Sequence, residues 1–200
     1  MNMENLFTLR LDAPCKLAEL AQEMPGRTMD LVELDKPILL TQENRETLPP
    51  PSIETLDRLE QHGYPPVVLD MIGSEAEAGI YEEAQLEPAV VNGKEALIRT
   101  DINYAQTDLF GETNLERMRA GKAPLDEDGK PIELHHIGQA QDAPLAELTR
   151  AEHRCNGNDN ILHNKLKESE IDREDFGKQR GEYWKARAEL IDQQRTEGNV

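Results

Sequence analysis

Cysteine is scarce, long apolar runs are missing and positive charge is in deficit, and each shortage removes a class of protein. The two cysteines, Cys15 and Cys155, lie far apart and neither belongs to a CxxC pair. That excludes a disulfide framework; the chain reads as reduced and intracellular at its site of action, with one bridge between the two left open. No apolar stretch approaches the roughly 20 residues of a membrane span. The opening run Met1-Asn2-Met3-Glu4-Asn5-Leu6-Phe7 has no basic region ahead of an apolar one, so a soluble chain with no membrane contact and no address of its own is expected. With 22 Lys and Arg against 40 Asp and Glu, the formal charge is −18. Non-specific nucleic-acid binding normally draws on clustered bases that release counterions, and such a balance argues against it. No internal repeat or low-complexity tract stands out.

The charge is graded. Residues 1–95 hold 19 acids and 7 bases, residues 96–147 hold 10 and 5, and residues 148–200 hold 11 and 10. The C-terminal quarter, with Arg150, Arg154, Lys165, Lys167 and Arg173, is the part least repulsive to phosphate. A bound cation would offset local negative charge further.

Residues 1–51 read as a lead-in, with an alternating stretch at 6–11, a helical stretch at 16–24 and an apolar run at 37–40. Pro49-Pro50-Pro51 breaks any regular element and marks a boundary. Beyond it, Ser52 predicts the N-cap of a helix over 53–61 that stops at Gly63, and Pro65 or Pro66 opens a short helix to Met71. Ser74-Glu75-Ala76-Glu77 matches a capping box for a helix over 75–84. Asn92-Gly93 between two apolar runs predicts a hairpin. The turn 126–129 leads into a strand over 131–136, residues 144–148 give a partner strand, and Thr149 caps a helix bearing His153. After the break at Asn156-Gly157-Asn158-Asp159, a helix is expected over 160–167 and a closing helix from 172 or 173 to 191. The class is α+β, mainly helical, with small antiparallel hairpins; 200 residues are ample for its core without staples.

Four of the five histidines fall within 29 residues, in Ile132-Glu133-Leu134-His135-His136-Ile137-Gly138-Gln139 and at His153 and His163. Neutral imidazole is the commonest metal ligand and titrates near neutrality, so such a group can supply both ligands and a general base. A strand ending in His-His, a loop, a second strand and a His-bearing helix is the layout of a ββα-metal nuclease centre. Neighbouring strand residues face opposite ways, so His135 and His136 converge on one phosphate only from the strand end or from two sides of the bond. His62, far away beside Gly63, is read as unrelated.

The ordered series Leu97-Ile98-Arg99-Thr100-Asp101, Gly111-Glu112-Thr113-Asn114-Leu115-Glu116-Arg117, Gly121-Lys122-Ala123-Pro124, Asp128-Gly129, Glu133-Leu134-His135-His136-Ile137-Gly138-Gln139, Pro144-Leu145-Ala146-Glu147-Leu148-Thr149, Glu152-His153, Ile161-Leu162-His163 and Tyr183-Trp184-Lys185 resembles the LHH nucleases. These belong to the HNH/endonuclease VII superfamily and serve as toxin domains in bacterial polymorphic toxin systems. The resemblance covers roughly residues 52–190.

It implies that His135 and His153 ligate one divalent ion (Mg, Mn, Zn or Ni) and that His136 is the general base. His163 takes a ligand or phosphate-contact role. It further implies DNA as substrate, a cognate immunity protein as partner, and delivery by a secreted or contact-dependent system for action in a target-cell cytoplasm. The usual middle Asn of the HNH signature is missing from its place. Asn114, Asn158 and Asn160 are the candidate substitutes, and Asp101, Glu112 and Glu147 are the candidate carboxylates to complete the shell. Arg154, Lys165 and Lys167 are expected phosphate contacts on charge and position.

Two rival readings stand beside this one: an RNase with the same centre, and an inactive module whose histidines merely hold zinc for protein binding. Glu133 is expected to face solvent, and Tyr183 and Trp184 to pack in the core rather than stack on bases.

Overall fold

A computed structural model describes residues 45–165 and 170–198. The expected elements at 6–11, 16–24 and 37–40 lie outside these residues, as does Lys167. A 3₁₀ turn, Arg45–Thr47, precedes α1 (Ile53–Gln61), α2 (Pro66–Leu69) and α3 (Glu75–Glu83). The hairpin β1 (Glu87–Val91) and β2 (Lys94–Ile98) follows, then α4 (Asn114–Arg119), β3 (Glu133–His136), β4 (Leu145–Leu148), α5 (Arg150–Arg154), α6 (Asn158–Leu162) and α7 (Arg173–Glu197).

The element starts follow capping chemistry. Ser52 accepts from the Thr55 amide, and Thr113 and Thr149 open α4 and α5 with complete capping boxes closed by Glu116 and Glu152. The box expected at Ser74 is half made. Ser74 accepts from the Glu77 amide, but the Glu77 carboxylate turns to the Gly73 amide, the Tyr81 hydroxyl and Arg45 instead. A buried carboxylate takes the partners that satisfy it best, and here those are the guanidinium and the phenol. Asn92 and Gly93, both at positive φ, turn the first hairpin as expected.

The two hairpins do not stand apart. They merge into one four-stranded sheet of order β1-β2-β4-β3, with β2 and β4 parallel and the other pairs antiparallel. All of β4 is buried, because both faces of the sheet are covered. On one face α1 to α3 and α6 build a core from Leu59, Tyr81, Leu86, Leu97, Leu148 and Leu162. On the other, α4 and α7 pack Met118, Leu134, Leu145, Tyr183, Trp184 and Ile191. Tyr183 and Trp184 are core residues, in agreement with the sequence.

Several boundaries differ from expectation, among them the short helix expected to reach Met71, which ends at Leu69. The strand expected over 131–136 starts at Glu133, and the closing helix continues to Glu197. The helix expected over 160–167 spans Asn158–Leu162 and ends as His163 turns to extended backbone, its ring held by Asp159. Of the two cysteines, Cys155 is buried and Cys15 lies outside the described residues.

Candidate metal centre and active site

The register of the second hairpin decides where the two adjacent histidines go. His135 pairs with Ala146 and His136 with Leu145, so the first faces α6 and the second faces α7. The ring of His135 lies 5.2 Å from that of His153 and 5.0 Å from that of His163, while His136 rests 4.5 Å from the ring of Phe176. The strand ends at this point and the chain turns through Gly138, at φ 82°, where a Cβ would press on Met71 at 3.2 Å. Sheet alternation and strand end together let both histidines line one cavity of about 720 Å³.

His153 is delivered by α5, whose start is fixed twice. Glu152 accepts from the Thr149 amide, and the same carboxylate is gripped by Arg99 at 2.6 and 2.9 Å. His163 follows the last turn of α6. His135, His153 and His163 each offer a ligand atom, and those atoms lie within 4.8 Å of one another.

The hydrogen bonds fix tautomers. The Nδ1–H of His153 donates to Glu133 Oε2 at 2.6 Å, and the Nδ1–H of His163 donates to Asp159 at 3.1 to 3.2 Å. With Nδ1 engaged in each ring, Nε2 is the nitrogen that remains, and the two Nε2 atoms face each other at 3.3 Å. Two nitrogens on one tetrahedral ion, each at about 2.0–2.1 Å, sit about 3.3 Å apart. The Nε2 of His135 is buried without a hydrogen-bond partner among the described residues. The donor set therefore fits a metal ion, with three ligands and an open cavity beside them.

Electrostatics agree. Burial, then the fields of His153, His163 and Arg45, hold His135 well below the usual imidazole range, and burial also lowers His163. These rings stay neutral, the form that ligates. Burial would raise Glu133, but the bonds from His153 and Arg154 outweigh it and hold its carboxylate at about 2. Glu133 is thus no solvent-facing residue. It is the carboxylate that orients the ring of His153, and strand alternation, which puts residues 133 and 135 on one face, was the signal for it.

His136 stands outside the trio. Its Nε2 is buried and without a partner among the described residues, and burial lowers its pKa while the neighbouring Gln179 side chain opposes.

The alternative shell residues are engaged elsewhere. Glu147 accepts from the Arg99 amide, Tyr183 and Arg187; Asp101 pairs with Arg99 and Glu112 with Lys122. Asn114 clamps Asn103 and Leu125, Asn158 donates to the Glu152 carbonyl, and Asn160 lies half-buried on α6. Asn164, Arg45 and Arg173 line the cavity and were overlooked as site residues. Among the expected phosphate contacts, Arg154 lines it too, paired with Glu133 at 2.7 Å. Lys165 is tied to Asp159 at 2.5 Å.

Comparison with known proteins bears on this geometry. Residues 113–190 match a family model, LHH, described as a nuclease of the HNH/ENDO VII superfamily with conserved LHH. No solved structure matches the chain.

Proposed function

We propose, from the match of residues 113–190 to the LHH nuclease model of the HNH/ENDO VII superfamily, that this protein is a metal-dependent endonuclease that hydrolyses DNA. His135, His153 and His163 are the ligands and His136 is the general base. The observation that carries the reading is the convergence of one ligand atom each from His135, His153 and His163 within 4.8 Å of one another, next to a cavity that His136 also lines.

When bound, the divalent ion would draw the scissile phosphate to the three histidines and stabilise the leaving oxygen. The protein's own groups do the rest. His136 accepts a proton from the attacking water, whose oxygen bonds to phosphorus as the P–O3′ bond breaks, leaving a 5′-phosphate and a 3′-hydroxyl that takes its proton from solvent. Glu133 keeps His153 in the ligating tautomer. Three ligands with an open side suit catalysis better than a closed structural site, which takes four.

In this reading the nuclease unit is the one expected over residues 52–200 together with the end of the lead-in from Arg45, which pairs with the buried Glu77 and lines the cavity. The resemblance to toxin nucleases supports a role in bacterial competition, with action in a target-cell cytoplasm and a cognate immunity protein that need not be acidic, since the toxin already is. The test is incubation of the protein with supercoiled plasmid and, separately, with a structured RNA, each with and without chelator. Nicking of the plasmid that chelator abolishes and metal restores is expected. Cleavage of RNA alone would reassign the substrate, and chelator-insensitive cleavage would remove the metal from the account.

A further inference from the structure

The cavity that holds the histidines continues into a second one of about 500 Å³; Leu134, His153, Arg154 and Phe176 line both. The second cavity is basic in a chain whose formal charge is −18. Arg117, Lys122, Arg154 and Arg180 line it, with Glu133 as the acid of the lining; Arg154 pairs with Glu133, and Arg117 and Lys122 pair with Asp108 and Glu112 outside the lining, contacts that phosphates would compete for.

Its wall is one face of α7. Arg173, Phe176, Arg180 and Trp184 recur at helical spacing, and the first reaches the histidine cavity while the last closes the far end. Arg180 is exposed, lies 5.4 Å over the Phe176 ring, and has no carboxylate partner among the described residues. Gly177 lies between them. A Cβ there would meet nothing within 4 Å, so packing does not explain a glycine that weakens the helix interior. The glycine leaves this side of α7 open beside the second cavity.

We propose that a nucleic-acid strand runs from the histidine centre along this groove, its phosphates taken by Arg180 and Lys122 and its backbone passing close over Gly177. The proposal rests on the nuclease reading and adds to it the path of the substrate.

The test uses the full chain carrying His136→Ala, so that binding is read without cleavage, and labelled duplex and single-stranded oligonucleotides of one sequence. Arg180→Ala is expected to weaken binding about five- to tenfold and, with Lys122→Ala, to lower the slope of log affinity against log salt by about 0.9 per lost contact on duplex. Arg180→Lys retains most of the affinity. Gly177→Leu fills the groove and weakens binding without lowering the melting temperature. Arg58→Ala, at a cation on α1 paired with Glu82 and outside both cavities, leaves binding unchanged. In cleavage with His136 intact, Arg180→Ala raises KM and leaves kcat nearly unchanged. If wild-type protein cleaves DNA while Arg180→Ala, Lys122→Ala and Gly177→Leu bind like Arg58→Ala, the groove is overturned and the nuclease reading stands. If wild-type protein neither cleaves nor binds any oligonucleotide, both fall together.

Discussion

Glu133 Oε2 lies 2.6 Å from His153 Nδ1 and 2.7 Å from Arg154 Nε, so one carboxylate both orients the ring of His153 and steadies the Arg154 guanidinium beside the cavity. Removing its charge while keeping its shape is therefore expected to loosen the centre without unfolding it. Glu133→Gln should lower affinity for a divalent ion by about 10- to 100-fold, measured by calorimetric titration with zinc or manganese. Unchanged affinity would mean that His153 needs no such support.

The pair formed by Arg45 and Glu77 places the start of the packed unit ahead of the three prolines. Arg45 reaches Glu77 at 2.7 Å, and the Glu77 side chain is fully buried. A chain beginning at residue 52 loses that guanidinium and strands the carboxylate, a loss of the order of 3–5 kcal/mol for a broken buried pair. Denaturant unfolding of chains beginning at residues 45 and 52 should separate them by about that amount. Equal midpoints would show that Tyr81 and the Gly73 amide suffice for Glu77.

Glu147 anchors the sheet to α7. It is fully buried and takes bonds from Tyr183 at 2.9 Å, Arg187 at 3.1 Å and the Arg99 amide at 2.8 Å. Glu147→Ala leaves Arg187 charged, buried and unpaired, so a cost near 3–5 kcal/mol is expected, again read from denaturant midpoints. A small effect would mean that water enters the vacated space.

The loop 107–113 should respond to acid. Burial would raise Asp108, but the Phe110 amide, Arg117 and the Glu112 amide together lower its pKa. A depressed carboxylate contributes stability above its unfolded pKa of about 3.9, and that contribution is lost as pH falls through the lower folded value. Protection of the Phe110 and Glu112 amides against hydrogen exchange should be present at neutral pH and fade in acid below that range. In Asp108→Asn the pH dependence should vanish.

Much of this was legible in the residues. Ser52, Thr149 and Asn92-Gly93 carry local chemistry, so the elements they begin or turn were readable. The union of the hairpins through β2 and β4 was not, because a parallel pair is joined by a long crossover that leaves no local mark. At the site, the histidines announced themselves by spacing, and Glu133 was missed although it shares a strand face with His135. Arg180, Lys122 and Gly177 come together only through the packing of α7 on α4, which brings residues about 60 positions apart to one groove. Net charge concealed that groove, since a count over the chain does not register where a few bases converge.

The division of labour between His136 and the other three histidines is the central claim, and bound metal and plasmid nicking measured on the same preparations of two variants test it most directly. His136→Ala is expected to keep its metal and lose cleavage by two orders of magnitude or more, as for a general base worth about 10²–10⁴, while His153→Ala loses both. A His136→Ala protein that has lost its metal, or a His153→Ala protein that nicks at the wild-type rate, would contradict the account.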